Sequence, residues 1–391
     1  MNKDLWIETG WISLNHVGET LCGDKVEVFG GGDEDLTLVL ADGLGSGVKA
    51  NILSTLTSKI LCTMIAGGIP LEECVATIAS TLPVCSVRQV AYSTFTILQI
   101  HNNETAHIIQ FDNPATIVLR KGEVFDYPRT TRTIAGKKIW ESTFPIEVDD
   151  VFIAMSDGAE WAGVGMTMNF GWTRDSIADY AMANYLPENS AKFTAGLIID
   201  ECNRLYGGRP GDDTTIAVAH VRNRHTVNLM VGPPEKPEDD QMVMEKFFGN
   251  NGTKIVCGGT TSNVVSRHLN QPIITSLDYF DPEIPPICTI KGVDLTTEGV
   301  ITLSKVLAYA EDFLDQAHLA SIWSTKKDGA SLIARELFEN ATDVNFFVGR
   351  AINPAHQNPN LPITFAIKQQ LITDLADCLK KMGKHIHLSY Y

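Results

Sequence analysis

The sequence predicts an α+β chain: antiparallel sheets flanked by helices over residues 1–222, then a smaller α/β domain over residues 223–391. Three observations predict it. The first part places its apolar runs in β-rich blocks with two helical pairs between them, not in βαβ alternation, which favours antiparallel over doubly wound sheets. The composition changes at Met230–Asp240, a stretch rich in Pro and acid, and beyond it strand–helix–strand alternation begins, the pattern of a partly parallel sheet. At 391 residues the chain exceeds one ordinary domain and fits two.

In the first part, Leu36–Leu40 reads as a buried strand, followed after a Gly-rich turn by a helix over 48–66 with Ile52, Leu56, Ile60 and Met64 at helical spacing. Gly67-Gly68 ends that helix, and Pro70 opens another carrying Cys74, Ile78 and Leu82. Strands are expected over Tyr92–Ile100 and His107–Gln110, and a hairpin over Ala115–Arg120 and Glu123–Tyr127 turns at Lys121-Gly122. Strand Val151–Met155, helices near Asp175–Met182 and Lys192–Tyr206, and strand Thr214–Val221 complete the block. In the second part, strand Val227–Val231 leads through the Pro/acid loop to a helix over Gln241–Phe248. Strand Lys254–Cys257, a turn over Gly258–Asn263 and a helix from Val264 follow. Further helices are expected near Thr302–Gln316, Ala330–Glu339 and Pro362–Met382.

A hydrophobic fraction of 44% and a charged fraction of 20% are those of a soluble globular protein. No apolar run reaches the ~18 residues of a membrane span, and Met1–Trp6 does not open a secretory signal. A net charge of −16 argues against nucleic acid as partner, because phosphate backbones call for a basic face. Eight scattered cysteines without a CxxC pair read as reduced, buried thiols, which points to the cytoplasm.

Four aspartates sit in tight Gly- or Ser-flanked turns: Asp24 in Cys22-Gly23-Asp24, Asp42 in Ala41-Asp42-Gly43-Leu44-Gly45-Ser46-Gly47, Asp157 in Ser156-Asp157-Gly158, and Asp212 in Gly211-Asp212-Asp213-Thr214-Thr215. A strand ending in Asp-Gly projects a carboxylate from the sheet end while glycine lets the backbone turn back towards a ligand. Several such turns suggest carboxylates converging on hard divalent cations such as magnesium or manganese.

This ordered set resembles the metal-dependent protein serine/threonine phosphatases of type 2C, and most of all their bacterial branch typified by the sporulation stage II protein E phosphatase. The resemblance covers roughly residues 10–222, with Tyr92-Ser93-Thr94-Phe95 and Asn113-Pro114 as weaker matches. It implies an αββα sandwich with a two-metal site at one end, holding two Mn2+ or Mg2+ ions. Asp42 is then the carboxylate bridging both metals and the Gly43 carbonyl a ligand of one. The resemblance makes Asp157 and Asp212 ligands of the first metal, Asp24 a ligand of the second, and Asp213 a residue behind the ligands. Asp42, Asp157 and Asp212 stand as the catalytic set, and the implied partner is a phosphorylated protein, in this branch often a small regulatory one. Phosphomonoester hydrolysis is very slow uncatalysed, so the site must stabilise charge and supply a nucleophile at neutral pH, which two cations do. One departure stands out: eukaryotic relatives place an Arg near the first motif to grip phosphate, and Gly18-Glu19-Thr20-Leu21 has none.

Other features carry plainer readings. Gly45-Ser46-Gly47 lacks the Gly-Lys-Ser/Thr ending of a nucleotide-phosphate loop, and Asp33-Glu34-Asp35 reads as a solvated turn. Cys257–Asn263 reads first as an N-capped βα turn and second as an anion site, so a small-molecule or anion ligand of a regulatory second domain is the weaker expectation. His385 and His387 read as outward polar residues of a strand, and Cys257 and Cys288 as core thiols. The alternative to an enzyme is a phosphatase-like scaffold whose second domain binds a small molecule or protein. An oligomer is compatible with either.

Overall fold

The computed structural model describes residues 5–32, 35–81, 93–276, 280–281, 283–315, 323, 325–351 and 365–391. The expectations for Asp33, Glu34, Leu82, Tyr92, Gln316 and Pro362 lie outside them. Two compact units form, one from Met1–Asn223 and the other from Arg224–Gln316 with Ala320–Tyr391.

The first unit runs β1 (Leu5–Leu14), β2 (Asp24–Phe29), β3 (Leu36–Gly43), α1 (Gly47–Ala66), α2 (Leu71–Thr81), β4 (Ser93–His101), β5 (Thr105–Phe111), β6 (Ile117–Arg120) and β7 (Glu123–Val124). It continues with β8 (Thr130–Ile134), β9 (Lys137–Pro145), β10 (Val151–Met155), α3 (Gly158–Trp161), α4 (Arg174–Ala183), α5 (Ala191–Leu205) and β11 (Thr214–Asn223). One antiparallel sheet has the order β1-β11-β10-β6-β7, the other β2-β3-β4-β5-β9-β8. Strands of both sheets are buried on two faces. Leu38, Leu40, Phe152 and Ala217 belong to the cluster between the sheets. Val39 and Ile97 face α1 and α2, while Ile153 and Val218 face α4 and α5. Continuously buried runs such as Leu36–Ala41 are the result, and each fully buried Leu or Ile contributes about 1.5–3 kcal/mol. The architecture is the αββα sandwich.

Helix α1 corrects the expected apolar stripe. Ile52 and Leu56 are exposed, and the buried face is Ala50, Leu53, Ser54, Thr57, Ser58, Leu61 and Ile65. Small residues bring the helix close to the sheet, and their hydroxyls are satisfied locally: Thr57 Oγ1 donates to the Leu53 carbonyl at 2.8 Å and Ser54 Oγ to that of Asn51 at 3.1 Å. Helices α4 and α5 start at Thr173 and Ser190, whose side chains accept from the backbone N–H of Ser176 and Phe193.

The second unit runs β12 (Thr226–Val231), α6 (Asp240–Gly249), β13 (Thr253–Cys257), α7 (Gly259–Leu269), β14 (Ile274–Thr275), β15 (Cys288–Thr289), β16 (Leu295–Thr297), α8 (Val300–Asp315), α9 (Gly329–Ala334), β17 (Asp343–Val348), α10 (Phe365–Lys381) and β18 (His385–Tyr390). The five strands β16-β13-β12-β17-β18 are parallel neighbours, and the short β14 and β15 add an antiparallel edge. This is an α/β unit, as expected. Helix α7, however, begins five residues before the expected Val264. Gly258, at φ 109°, makes the sharp exit from β13 that lets the helix start at once. Cys257 is core, but Cys288 is only half-buried on the edge, beside Thr275.

Candidate metal centre

The strand directions bring the four aspartate turns to one end of the sandwich. Asp24 opens β2 and Asp42 is the penultimate residue of β3, and the two are direct partners across that antiparallel ladder. Asp157 follows the end of β10 and Asp212 precedes the start of β11, which pairs with β10. A hydrogen bond joins the two sheets there: Ser156 Oγ donates to Asp24 Oδ2 at 2.7 Å and accepts the Thr215 N–H at 2.8 Å. Asp42, Asp157 and Asp212 line a cavity of about 370 Å³ together with His16, Ser93 and the loop from Gly43 to Ser46. Asp24, 3% exposed, pairs with the lining residue Asp42 across the β2–β3 ladder.

The electrostatics are those of crowded, buried carboxylates, with His16 acting on Asp212 in the opposite sense. Burial first, then the Asp24, Asp157 and Asp212 carboxylates, push Asp42 up to about 9. Burial raises Asp24 to about 7 against hydrogen bonds from Ser156 and Thr215, and burial with the Asp157 charge raises Asp212 to about 6. Among the described residues no three His, Cys, Asp or Glu side chains already stand as a metal cage. The donor set nevertheless fits hard divalent cations: it is all oxygen, anionic, and Asp24 Oδ1 is buried without any hydrogen-bond partner.

Asp213 stands behind this cluster. Its backbone N–H donates to Asp212 Oδ1 at 2.9 Å, and its Oδ1 accepts the His16 N–H at 2.9 Å. Sequence reasoning missed His16, Ser93 and Ser156 as members of the site. Ser156 stood inside a quoted motif, and its position one residue before Asp157 was the available signal. Ser93 Oγ donates to the Asp42 carbonyl at 2.8 Å, and Thr94 Oγ1 to Asn113 Oδ1 at 2.5 Å, so both weaker motif segments support the cavity wall. In the second unit, the Thr261 and Ser262 hydroxyls serve the fold: Thr261 Oγ1 accepts the Gly232 N–H, and Ser262 Oγ donates to the Gly258 carbonyl. His385 and His387 are exposed on β18, as expected.

Comparison with known proteins finds relatives for the first part of the chain. Residues 32–222 match the family model for Stage II sporulation protein E (SpoIIE). Stage II sporulation protein E of Bacillus subtilis (strain 168) is 22% identical over 227 residues, which cover 56% of this chain and 26% of that protein. The chain thus spans about a quarter of that relative's length. Among solved structures, the PP2C phosphatase domain of SpoIIE from Bacillus subtilis with a fragment of its regulatory domain is 19% identical, covering 56% of this chain and 64% of that one at a TM-score of 0.48. The catalytic domain of the serine/threonine protein phosphatase PstP, in complex with 2 manganese ions, is 16% identical, covering 56% of this chain and 100% of that one at a TM-score of 0.38. Residues 32–222, a little under half of the chain, are thus similar to the family described as Stage II sporulation protein E (SpoIIE).

Proposed function

We propose that the protein is a metal-dependent phosphatase that hydrolyses phosphoserine and phosphothreonine on a bacterial regulatory protein, in the cytoplasm, with its second unit gating the activity. The observation that carries the reading is the gathering of Asp42, Asp157 and Asp212 around one cavity, with the buried Asp24 paired to Asp42. Asp42, Asp157, Asp212, Asp24 and the Gly43 carbonyl would hold two Mn2+ or Mg2+ ions. Bound there, such cations supply positive charge for the phosphoryl group and a nucleophile at neutral pH. The chain's own residues do the rest. Asp42, flanked by Asp24 and Asp157, would be the central anionic donor. Ser156 holds Asp24 in place through its 2.7 Å hydrogen bond, and Ser93 fixes the backbone at Asp42. Asp213 anchors both the Asp212 turn and the chain at His16. Among the described residues no helix is long and apolar enough to cross a membrane.

The test is hydrolysis of p-nitrophenyl phosphate and a phosphoserine peptide by the whole chain, with and without manganese, beside Asp42→Ala. Metal-dependent turnover that the substitution abolishes is the expected result. A wild type as inert as the variant, with metal present, would favour a scaffold instead.

A further inference from the structure

The cavity wall offers a phosphate few hydrogen-bond donors, because its hydroxyls are already committed. Ser93 Oγ donates to the Asp42 carbonyl, Thr94 Oγ1 to Asn113, and Ser46 Oγ to Glu19 Oε1 at 3.4 Å. Among the described residues lining the cavity, His16 carries the one nitrogen-bearing side chain. The segment between it and Asp24 holds no arginine. His16 is held in place by its backbone: its own N–H donates to Asp213 Oδ1, and the next N–H, of Val17, to the Pro210 carbonyl at 2.9 Å. Both anchors belong to the turn that presents Asp212. The ring's Nδ1 is buried and meets no partner among the described residues, and His16 is one of the residues that line the cavity.

We propose that His16 is the substrate-phosphate donor of this site, giving an N–H from Nε2 to a non-bridging phosphoryl oxygen. This rests on the phosphatase reading above and adds a residue to it. The surroundings favour that role. A phosphate dianion entering a ring of carboxylates needs every available donor, and a hydrogen bond to a charged oxygen is worth more than one between neutral groups. Anchoring through the Asp213 and Pro210 contacts fixes the donor before substrate arrives, so little freedom is lost on binding. A neutral imidazole N–H suffices, so an amide can stand in for it.

The experiment compares wild type with His16→Ala and His16→Gln in saturating manganese. It reads kcat and KM on p-nitrophenyl phosphate and on a phosphoserine peptide, and the binding of inorganic phosphate by calorimetry. Loss of one donor to a charged oxygen predicts a drop of roughly 10- to 100-fold in kcat/KM for His16→Ala. The drop should be equal on the two substrates, with phosphate binding weakened in parallel and manganese affinity unchanged. His16→Gln should recover a substantial part of all three readings. Unchanged kinetics in His16→Ala would overturn the proposal. So would a loss confined to the phosphoserine peptide, which would place His16 at the leaving oxygen, or a loss in both variants that tracks a lower melting temperature. A wild type that binds phosphate through His16 but turns nothing over would instead sink the phosphatase reading alone.

Discussion

Asp24 and Asp42 face each other as direct partners across the β2–β3 ladder, two acids side by side at the end of a sheet. Like charges opposite one another destabilise a strand pair, so the pair is held at a cost that only a cation or a proton relieves. The sign of the pH dependence follows. Asp42, Asp24 and Asp212, raised to about 9, 7 and 6, keep protons in the folded chain that the unfolded chain releases near pH 4. Stability that is present below that value is therefore lost as pH rises towards 9. In a chelator, the unfolding free energy should fall by several kcal/mol, on the order of 8, between pH 5 and pH 8.5. Manganese should stabilise far more at pH 8.5 than at pH 5, and Asp42→Asn should flatten the metal-free profile. Urea unfolding at the two pH values checks this, and a flat metal-free profile for the wild type would refute it.

Ser156 is the link that ties this pair to the opposite sheet. It is fully buried, donating to Asp24 Oδ2 and accepting from the Thr215 N–H. Ser156→Ala leaves both groups without that partner, at a cost of about 1–3 kcal/mol. If Asp24 is a donor to the metal as proposed, the residue that orients it matters for binding, and manganese affinity should fall about 10- to 100-fold. Calorimetric titration and a thermal melt read the two effects separately. Manganese binding as tight as in the wild type would mean that Asp24 needs no such support.

The aspartate turns were legible because each is a local event, a buried β-run ending in Asp-Gly or Gly-Asp, and the topology then delivers all four to one end. His16 was not legible. It follows β1, whose ladder to β11 pairs Leu5 with Asn223 across most of the unit. Leu5–Leu14 buries residues on both faces, so it lacks the alternation that marks a half-exposed strand. Helix α1 misled for a related reason. Its large apolar residues Ile52 and Leu56 point outward, while Ser54, Thr57 and Ser58 lie against the sheet, and hydrophobicity reports neither close approach nor hydroxyls bonded to the helix's own carbonyls. In the second unit the alternation gave the parallel sheet. The early start of α7 depended on the backbone angle of Gly258, which a sequence does not display.

Gly158 sets how closely the Asp157 turn can pack on the Asp212 turn. A Cβ there would stand 2.1 Å from the Asp213 carbonyl oxygen and 2.6 Å from Thr214 Oγ1. The first contact is with backbone of the turn just before β11, so no side-chain rotation relieves it. Gly158→Ala should therefore part the two turns, lowering stability by about 1–3 kcal/mol, as overpacking does. Metal-dependent turnover should fall by more than the stability loss explains, since Asp157 and Asp212 would separate. Turnover and melting temperature equal to the wild type would contradict the close approach.

The second unit has its own polar hub at Asn228, fully buried on the central strand β12. Its Nδ2 donates to the Asn251 carbonyl at 2.8 Å, and its Oδ1 accepts from Asn345 at 3.0 Å and Asn250 at 3.4 Å. The side chain thus joins β12 to its parallel neighbour β17 and to the turn that enters β13. Asn228→Ala removes these bonds at once and strands buried amide and carbonyl groups, a larger penalty than the loss of one exposed pair. The expected cost is about 2–4 kcal/mol, which for a unit of this size lowers the melting temperature by roughly 4–16 °C. Scanning calorimetry of the whole chain reads it. Catalysis in the first unit gives a second reading: a drop in turnover well below the melting range would couple this hub to the gating proposed for the second unit, whereas unchanged turnover would confine its effect to stability.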